Sequence, residues 1–515
     1  MNDAGPGAPR RWMTGAQRLA ARGRDEFRAR TDPKSLGGQV VLNSGWLIGE
    51  RLLRMGLAFI VTIWVIRYLG DEDYGILAYA LSVTMLVDVV ATMGMRSIVV
   101  RELVEEPDRE HEIIGTAVGV RIVSAVLAAA IIVGAGWAVA AGSEAFPVLV
   151  VLSVSLPFSA LGSLDLTFQA YFQSQYAVAA RIGGLAVASA LRVGLLVAGA
   201  PLIAFAIASA IELAGIGLAF ALMYAWKRHG LLALRFDRHR ARHLIVVSWP
   251  FFMSALAASV YLKVDQVMLH SFTTSAEVGQ YAAAARLSEV WYFIPIAMAS
   301  SLLPMLVIRR REDPRLYRSN LQRAYDINAW MAISLSFGIT LLAVPGVAIL
   351  YGSGFSETAD ILRIHTWAAP FIFMGTVLGR ALIAEDRRKF ELSRHASGAV
   401  LNVALNLVLM PMYGGVGAAF ATVASYAFAS YFVLALSSPG RFHLRLMTRA
   451  LLWPWRLLRG RRSSPDASGG HDFGGRPPRR SGPGGPPSRH ARSDDDLAST
   501  AGGQRRGRTD QRRQR

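Results

Sequence analysis

Two turns decide how this chain is read: Tyr68-Leu-Gly-Asp-Glu-Asp-Tyr-Gly-Ile-Leu-Ala-Tyr-Ala80 and Ser271-Phe-Thr-Thr-Ser-Ala-Glu-Val-Gly-Gln-Tyr-Ala-Ala-Ala284. Asp73, Gly75, Ala78 and Ala80 of the first meet Glu277, Gly279, Ala282 and Ala284 of the second at a constant offset of 204. Each turn follows a long apolar run and opens another. The loop from Gln173 to Arg181 resembles the loop from Glu385 to Arg394 in the same way. Two matches at corresponding places predict one unit duplicated in parallel orientation. That is a transporter architecture, with the substrate path between the halves.

The runs around these turns are membrane spans by length. A helix of about 20 mostly apolar residues crosses a ~30 Å hydrocarbon core. That ruler predicts twelve spans, near 44–66, 75–95, 115–140, 147–171, 176–199, 202–226, 244–269, 281–307, 325–350, 360–383, 391–411 and 415–437. The fold class expected is all-α and polytopic, with twelve transmembrane helices in two six-helix bundles. The expected divisions are a basic tail (1–40), a first bundle (41–226), a basic linker (227–243), a second bundle (244–437), an amphipathic juxtamembrane segment (438–460) and a disordered tail (461–515). The stretch 11–30 reads as an interfacial helix or as disordered chain.

Composition excludes most other classes. Of the 515 residues 53% are apolar and 18% charged, and cysteine is absent, whereas soluble domains carry about 25% charge. A disulfide scaffold, thiol chemistry and cysteine metal sites are therefore out. The sequence holds no Walker loop, zincin motif or nucleophile elbow, so neither an enzyme nor a cofactor is expected. His229, His239 and His243 lie among arginines and read as a solvated loop, not a metal site.

The net charge of +19 is unevenly placed. Residues 1–40 and 461–515 are strongly basic, and no base-reading motif accompanies them, so nucleic acid is not an expected partner. Alternate loops collect the cations: Arg96, Arg101 and Arg109; Arg181; Lys227 to Arg242; Arg309 to Arg323; Arg387, Arg388 and Lys389. The opposite turns hold Arg67 and otherwise acids, namely Asp71, Glu72, Asp73, Glu144, Glu277 and Glu357. The positive-inside rule then puts both termini in the cytoplasm, as an even number of spans requires. The expected location is the cytoplasmic (inner) membrane, with lipids as neighbours. Trp64, Tyr68, Trp137, Tyr224, Trp226 and Trp249 read as interface belts.

Several short motifs resemble one family. They are Arg67-Tyr-Leu-Gly-Asp-Glu-Asp-Tyr-Gly75, Arg101-Glu-Leu103, Lys263-Val-Asp-Gln-Val-Met-Leu269, Val278-Gly-Gln-Tyr-Ala282, Arg286-Leu-Ser-Glu289 and Phe293-Ile-Pro295, with Pro304 ending that span. Their order over residues 40–437 resembles the polysaccharide, or O-antigen-type (Wzx-like), flippases of lipid-linked oligosaccharides. These form a branch of the multidrug/oligosaccharidyl-lipid/polysaccharide exporter superfamily. The resemblance implies a V-shaped pair of bundles that opens alternately to each side, and a substrate of sugars on a polyprenyl (di)phosphate. Twelve spans favour this branch over the lipid II flippases, which usually have fourteen.

Such a substrate needs cations on a wet path, because Arg matches phosphate oxygens bidentately and charges within spans are costly unless they face water or a partner. Arg51, Arg54, Lys263 and Arg286 are the candidate phosphate contacts. Glu50 and Arg54 have i,i+4 spacing, so this group is either a phosphate clamp or a snorkelling pair. Lys263 and Asp265, two apart, point in nearly opposite directions. Asp88, Glu212, Asp265 and Glu289, with Glu50, are candidates for ion or proton coupling or for helix contacts, and Asp165 is a further lone acid. Asn402 and Asn406 are candidate sugar contacts or helix glue. Arg181, Arg192 and Arg380 complete the cations expected near the path. Glycan polymerases or glycosyltransferases are candidate partners. The rival readings are a cation-coupled small-molecule exporter and a non-transporting scaffold for envelope glycan assembly.

Overall fold

Apolar runs broken by glycine and loop charge fold as long helices throughout. The computed structural model describes residues 36–227 and 230–455, except some side chains within helices, Glu50 and Arg51 among them. The expectations for 11–30 and 461–515 lie outside the described residues, as does His229. The helices are α1 (Leu36–Thr92), α2 (Arg96–Glu105), α3 (Glu110–Ala140), α4 (Ala145–Val154), α5 (Leu156–Ser159), α6 (Asp165–Ala170), α7 (Ser174–Val197) and α8 (Leu202–Lys227). They continue as α9 (Arg238–Phe272), α10 (Ser275–Glu289), α11 (Phe293–Glu312), α12 (Pro314–Leu350), α13 (Ser356–His365), α14 (Ala369–Ala384), α15 (Arg388–Ser430) and α16 (Ser438–Leu451).

Ten helical segments among the described residues are long and apolar enough to cross a membrane. The protein is a multi-pass membrane protein. Two of the segments are broken at a left-handed glycine, α1 at Gly70 (φ 76°) and α15 at Gly414 (φ 53°). Both arms of α1 and the first arm of α15 are long enough to cross, and the second arm of α15 reaches that length with the turn Phe432–Leu436 that follows it, a division consistent with the twelve spans read from the sequence. α1 starts earlier than expected, at Leu36. α9 starts at Arg238, inside the expected linker, because the side chain of Asp237 caps it by accepting from Arg240 N at 2.6 Å.

The duplicated loops are the same turn. Phe172 and Asp386 both take φ 56°, a left-handed conformation unusual for a residue with a Cβ. Each closes its helix alike: Gln173 N donates to Phe168 O at 2.7 Å, and Arg387 N to Leu382 O at 2.8 Å. These are Schellman endings.

The turns carrying Asp71, Glu277 and Gly354 meet at one end of the bundle, the acidic face. Gln280 Nε2 donates there to Asp71 Oδ2 at 3.0 Å and to Gly354 O at 2.7 Å. A core cluster beneath them draws on both halves: Ile66, Tyr74 and Ala78 pack with Val278, Tyr281 and Ala282. At the other end, the basic face, the linker docks back onto the first half, with Arg235 N donating to His111 O at 3.1 Å. Tyr224, expected at a membrane interface, is fully buried there and donates to Glu110 Oε1 at 3.3 Å. Trp64, Trp137, Trp226 and Trp249 are exposed. α16 buries Leu446, Met447 and Ala450 against Leu321 and Tyr325 of α12 and leaves Arg441, Arg445 and Arg449 exposed.

Candidate functional site

The seam between the halves encloses a cavity of about 400 Å³ below the acidic-face turns. Its walls come from the second arm of α1, from α9 and α10, and from Leu156, Ser159 and Leu213 of the first half. Lys263 and Asp265 divide as a 100°-per-residue helix dictates. Lys263 faces the cavity, its Nζ 3.5 Å from Glu289 Oε2. Asp265 turns into the second half. Gln266 bridges the seam by accepting from Ser82 Oγ at 2.5 Å. Asp88 accepts from Ser159 Oγ at 3.2 Å on the opposite wall.

Arg286 is the most available cation here. It is exposed to the cavity, and Thr62 Oγ1 is its hydrogen-bond acceptor, at 3.4 Å. It also lines an adjoining slot of about 310 Å³, shared with Arg54, Glu289, Phe59 and Val290. That slot opens in turn onto an apolar groove of about 460 Å³ between α1, the α10–α11 junction and α12, since Phe59 and Val290 line both. Leu335, Ile339 and Leu342 continue the groove. One track thus runs from a largely apolar chamber that carries Ser82, Asp88, Ser159, Lys263 and Gln266 on its wall, past guanidinium groups, to an apolar trough.

The remaining candidates lie elsewhere. Asp265 is 4% exposed and accepts from Asn406 Nδ2 (2.6 Å), Thr422 Oγ1 (2.7 Å) and Tyr281 OH (3.0 Å). Asn402 and Asn406, candidate sugar contacts, are buried in this cluster rather than set on the cavity wall: Asn406 also donates to Asn402 Oδ1 at 3.2 Å. Glu212 pairs with Arg192 at 2.7 Å. Asp165 pairs with Arg181 (3.2 Å) and Arg96 (3.6 Å) near the basic face. Arg380 lines a separate cavity inside the second half. The side chains of Glu50 and Arg51 lie outside the described residues. No group of three or more His, Asp or Glu among the described residues could hold a metal ion.

Sequence reading passed over Arg121, which donates to Ser163 Oγ at 2.8 Å from within an apolar helix. A cation inside a predicted span was the available signal. Tyr281 and Thr422 gave none, because their value comes from meeting Asp265 across more than a hundred residues in the case of Thr422.

Comparison with known proteins places this architecture. The profile of the family described as "Polysaccharide biosynthesis protein" matches residues 40–309. The "Probable low-salt glycan biosynthesis flippase Agl15" of Haloferax volcanii is 26% identical over 188 residues, 36% of this chain and 40% of that protein. A "Putative O-antigen transporter" of Shigella dysenteriae is 25% identical over 183 residues, 35% of this chain and 45% of that protein. The chain thus spans less than half the length of each of these two curated relatives. Among solved structures, the "Lipid II flippase MurJ, inward closed conformation" superposes with a TM-score of 0.60 at 16% identity, covering 82% of this chain and 93% of that one. This last likeness establishes a shared fold.

Proposed function

The chain belongs to the polysaccharide biosynthesis protein family, and from that premise we propose that it is a flippase. Its substrate is an oligosaccharide on a polyprenyl (di)phosphate, moved across the cytoplasmic membrane by alternating access for envelope polysaccharide synthesis. The observation that carries this reading is the continuous track from chamber to trough. Sugars need hydroxyl, amide and carboxylate partners, which Ser82, Gln266 and Asp88 set on the chamber wall; a phosphate linkage needs guanidinium and ammonium groups; an isoprenoid needs apolar wall. Those three surfaces adjoin in that order, joined through Arg286 and Glu289 and then through Phe59 and Val290. A small-drug exporter has no use for the trough, and a scaffold has no use for the chamber.

Arg286 and Arg54 are the primary phosphate contacts in this reading, with Arg51 on the same helix. Lys263 is held in reserve by Glu289, and an arriving phosphate competes for it. Asp265 is the coupling carboxylate. It is buried, receives three hydrogen bonds and has no cation within ion-pair distance among the described residues, so a proton or small cation must share its charge. The basic face is cytoplasmic by the distribution of Lys and Arg. Enzymes that assemble and polymerise the glycan are the expected neighbours in the membrane.

Labelled polyprenyl-diphosphate oligosaccharide in proteoliposomes tests the proposal. Arg286→Ala and Lys263→Ala should each slow translocation by about tenfold or more, the effect of losing a charge-assisted hydrogen bond. Wild-type rates in both variants would remove the site. No movement of any lipid-linked glycan by the wild-type protein would remove the function.

A further inference from the structure

We propose that the second half contains a separate anion site, which takes the oxyanion of a phosphate or phosphate ester. It is a cavity of about 240 Å³ among α9, α14 and the two arms of α15, and it shares no lining residue with the central chamber. A water molecule occupies about 30 Å³ of liquid, so the space suits one hydrated tetrahedral oxyanion.

The wall is built for negative charge. Its one carboxylate, Glu391, is already spent. Arg394 Nε and Nη2 donate to its two oxygens at 2.6 Å each, and His395 Nε2 lies 3.2 Å from Oε1. Arg394 is itself 2% exposed and also donates to Gly375 O at 3.3 Å. With that pair neutralised, Arg380 is left on the wall with no ion-pair partner among the described residues. A guanidinium in a membrane-spanning helix without a counter-charge is costly, which favours an anion beside it.

A second observation is independent of charge. Tyr261 is 5% exposed and lines this cavity, and its hydroxyl has no hydrogen-bond partner. A buried donor without an acceptor is a defect that native structures rarely leave. An oxyanion held by Arg380 supplies the acceptor, and Ser430 and Tyr426 add hydroxyls to the same wall. Two glycines on α14 make the room. A methyl group on Gly375 would lie 2.6 Å from Ser430 Oγ, and one on Gly379 would lie 2.8 Å from Glu391 Oε1. The planar fork of arginine matches phosphate oxygens two at a time, which selects phosphate over a simple halide.

Two sources share this chemistry, the headgroup of an anionic phospholipid and free inorganic phosphate. Full-length protein in detergent is titrated with inorganic phosphate while thermal unfolding is followed. In parallel, nanodiscs of phosphatidylglycerol or of phosphatidylcholine are used to count retained lipid by native mass spectrometry. For the free anion, the unfolding midpoint of the wild type rises with phosphate. Apparent affinity then falls about tenfold or more in Arg380→Gln and about threefold in Tyr261→Phe. For the headgroup, phosphate does nothing, and Arg380→Gln loses a phosphatidylglycerol adduct that the wild type keeps. Tyr261→Phe removes a single oxygen and keeps the test valid where Arg380→Gln does not fold. Equal phosphate response and equal lipid retention in wild type and folded variants overturn the proposal. Neither arm measures transport, so this site and the flippase reading stand or fall separately.

Discussion

The two ends of the seam between the halves are closed by opposite means. At the acidic face the repeated turns meet as near-symmetric partners. A methyl group on Gly75 would overlap the carbonyl oxygen of Ser275, and one on Gly279 would overlap that of Asp71. These are the equivalent glycines of the repeat, each set against the turn of the other half, over a core of alanine and tyrosine. At the basic face the contact is one-sided, and a cluster of ion pairs stands beside the backbone contacts of Arg235 with His111 and Gly115. Arg240 of α9 donates to Glu102, Glu106 and Glu112 of the first half, each at 2.9 Å. His243 adds a 3.5 Å approach to Glu102. Backbone contact without Cβ atoms is all-or-none, because a packed interface does not stretch by degrees. The ionic contact is graded: Glu106 and Glu112, part exposed, can exchange their partner for solvent, while Glu102 is buried. In the proposed alternating-access cycle the acidic face has the character of a gate. The basic face has the character of a tether, holding the start of α9 to the first half while Pro250 interrupts the helix further on.

The largest test of this contrast is Arg240→Ala. Glu102 is 4% exposed, and removal of its partner leaves a buried carboxylate beside two others. Breaking such a buried pair costs about 3–5 kcal/mol, visible as a marked fall in the thermal midpoint, with Arg240→Lys falling less. The gate gives the next largest effect and a sharper one. Gly75→Ala and Gly279→Ala each force backbones apart, and overpacking of this kind costs about 1–3 kcal/mol. That shifts the balance toward the open acidic face by about 5- to 150-fold. Since the chain has no cysteine, a single cysteine at Ala282 reports the opening by its labelling rate with a membrane-impermeant maleimide. Symmetry requires the two glycine variants to behave alike. A fast rate in one and a wild-type rate in the other would show that the gate is not a paired device.

Much of this contrast is legible in the sequence. The offset of 204 marked Gly75 and Gly279 as equivalents, and the charge of alternate loops separated the two faces. What could not be read was that the glycines touch. The inward direction of each helix was hidden too, because lipid and protein interior are both apolar and a spanning helix carries little amphipathic pattern. Tyr224 reads as an interface aromatic from the sequence, although its hydroxyl is satisfied in the core. Arg380 reads as a cation of the central path from the sequence, though α14 turns it into the other cavity. Lys263 and Asp265 were easier, since opposite charges two residues apart must separate on a helix whatever surrounds them.

The smallest expected effect concerns the tether alone. The hydrogen bond and charge of Arg240 hold the Glu106 carboxyl below its usual 4.5. A depressed carboxyl contributes stability that is fully present above the unfolded value and is lost as pH falls through the folded one. The contribution from Glu106 should therefore be intact at pH 7 and decline as pH drops below about 4.5. Glu106→Gln should remove that part of the acid sensitivity and leave the maleimide labelling of the acidic face unchanged. Thermal midpoints of the wild type and Glu106→Gln at pH 7 and pH 4 measure the first point, and labelling at Ala282→Cys measures the second. Asp71, Asp73 and Glu277 lie in the turns of the glycine gate, so labelling is compared between the two proteins at pH 7, where a rate that followed Glu106→Gln would mean that gate and tether move as one body, and the distinction between them would fail.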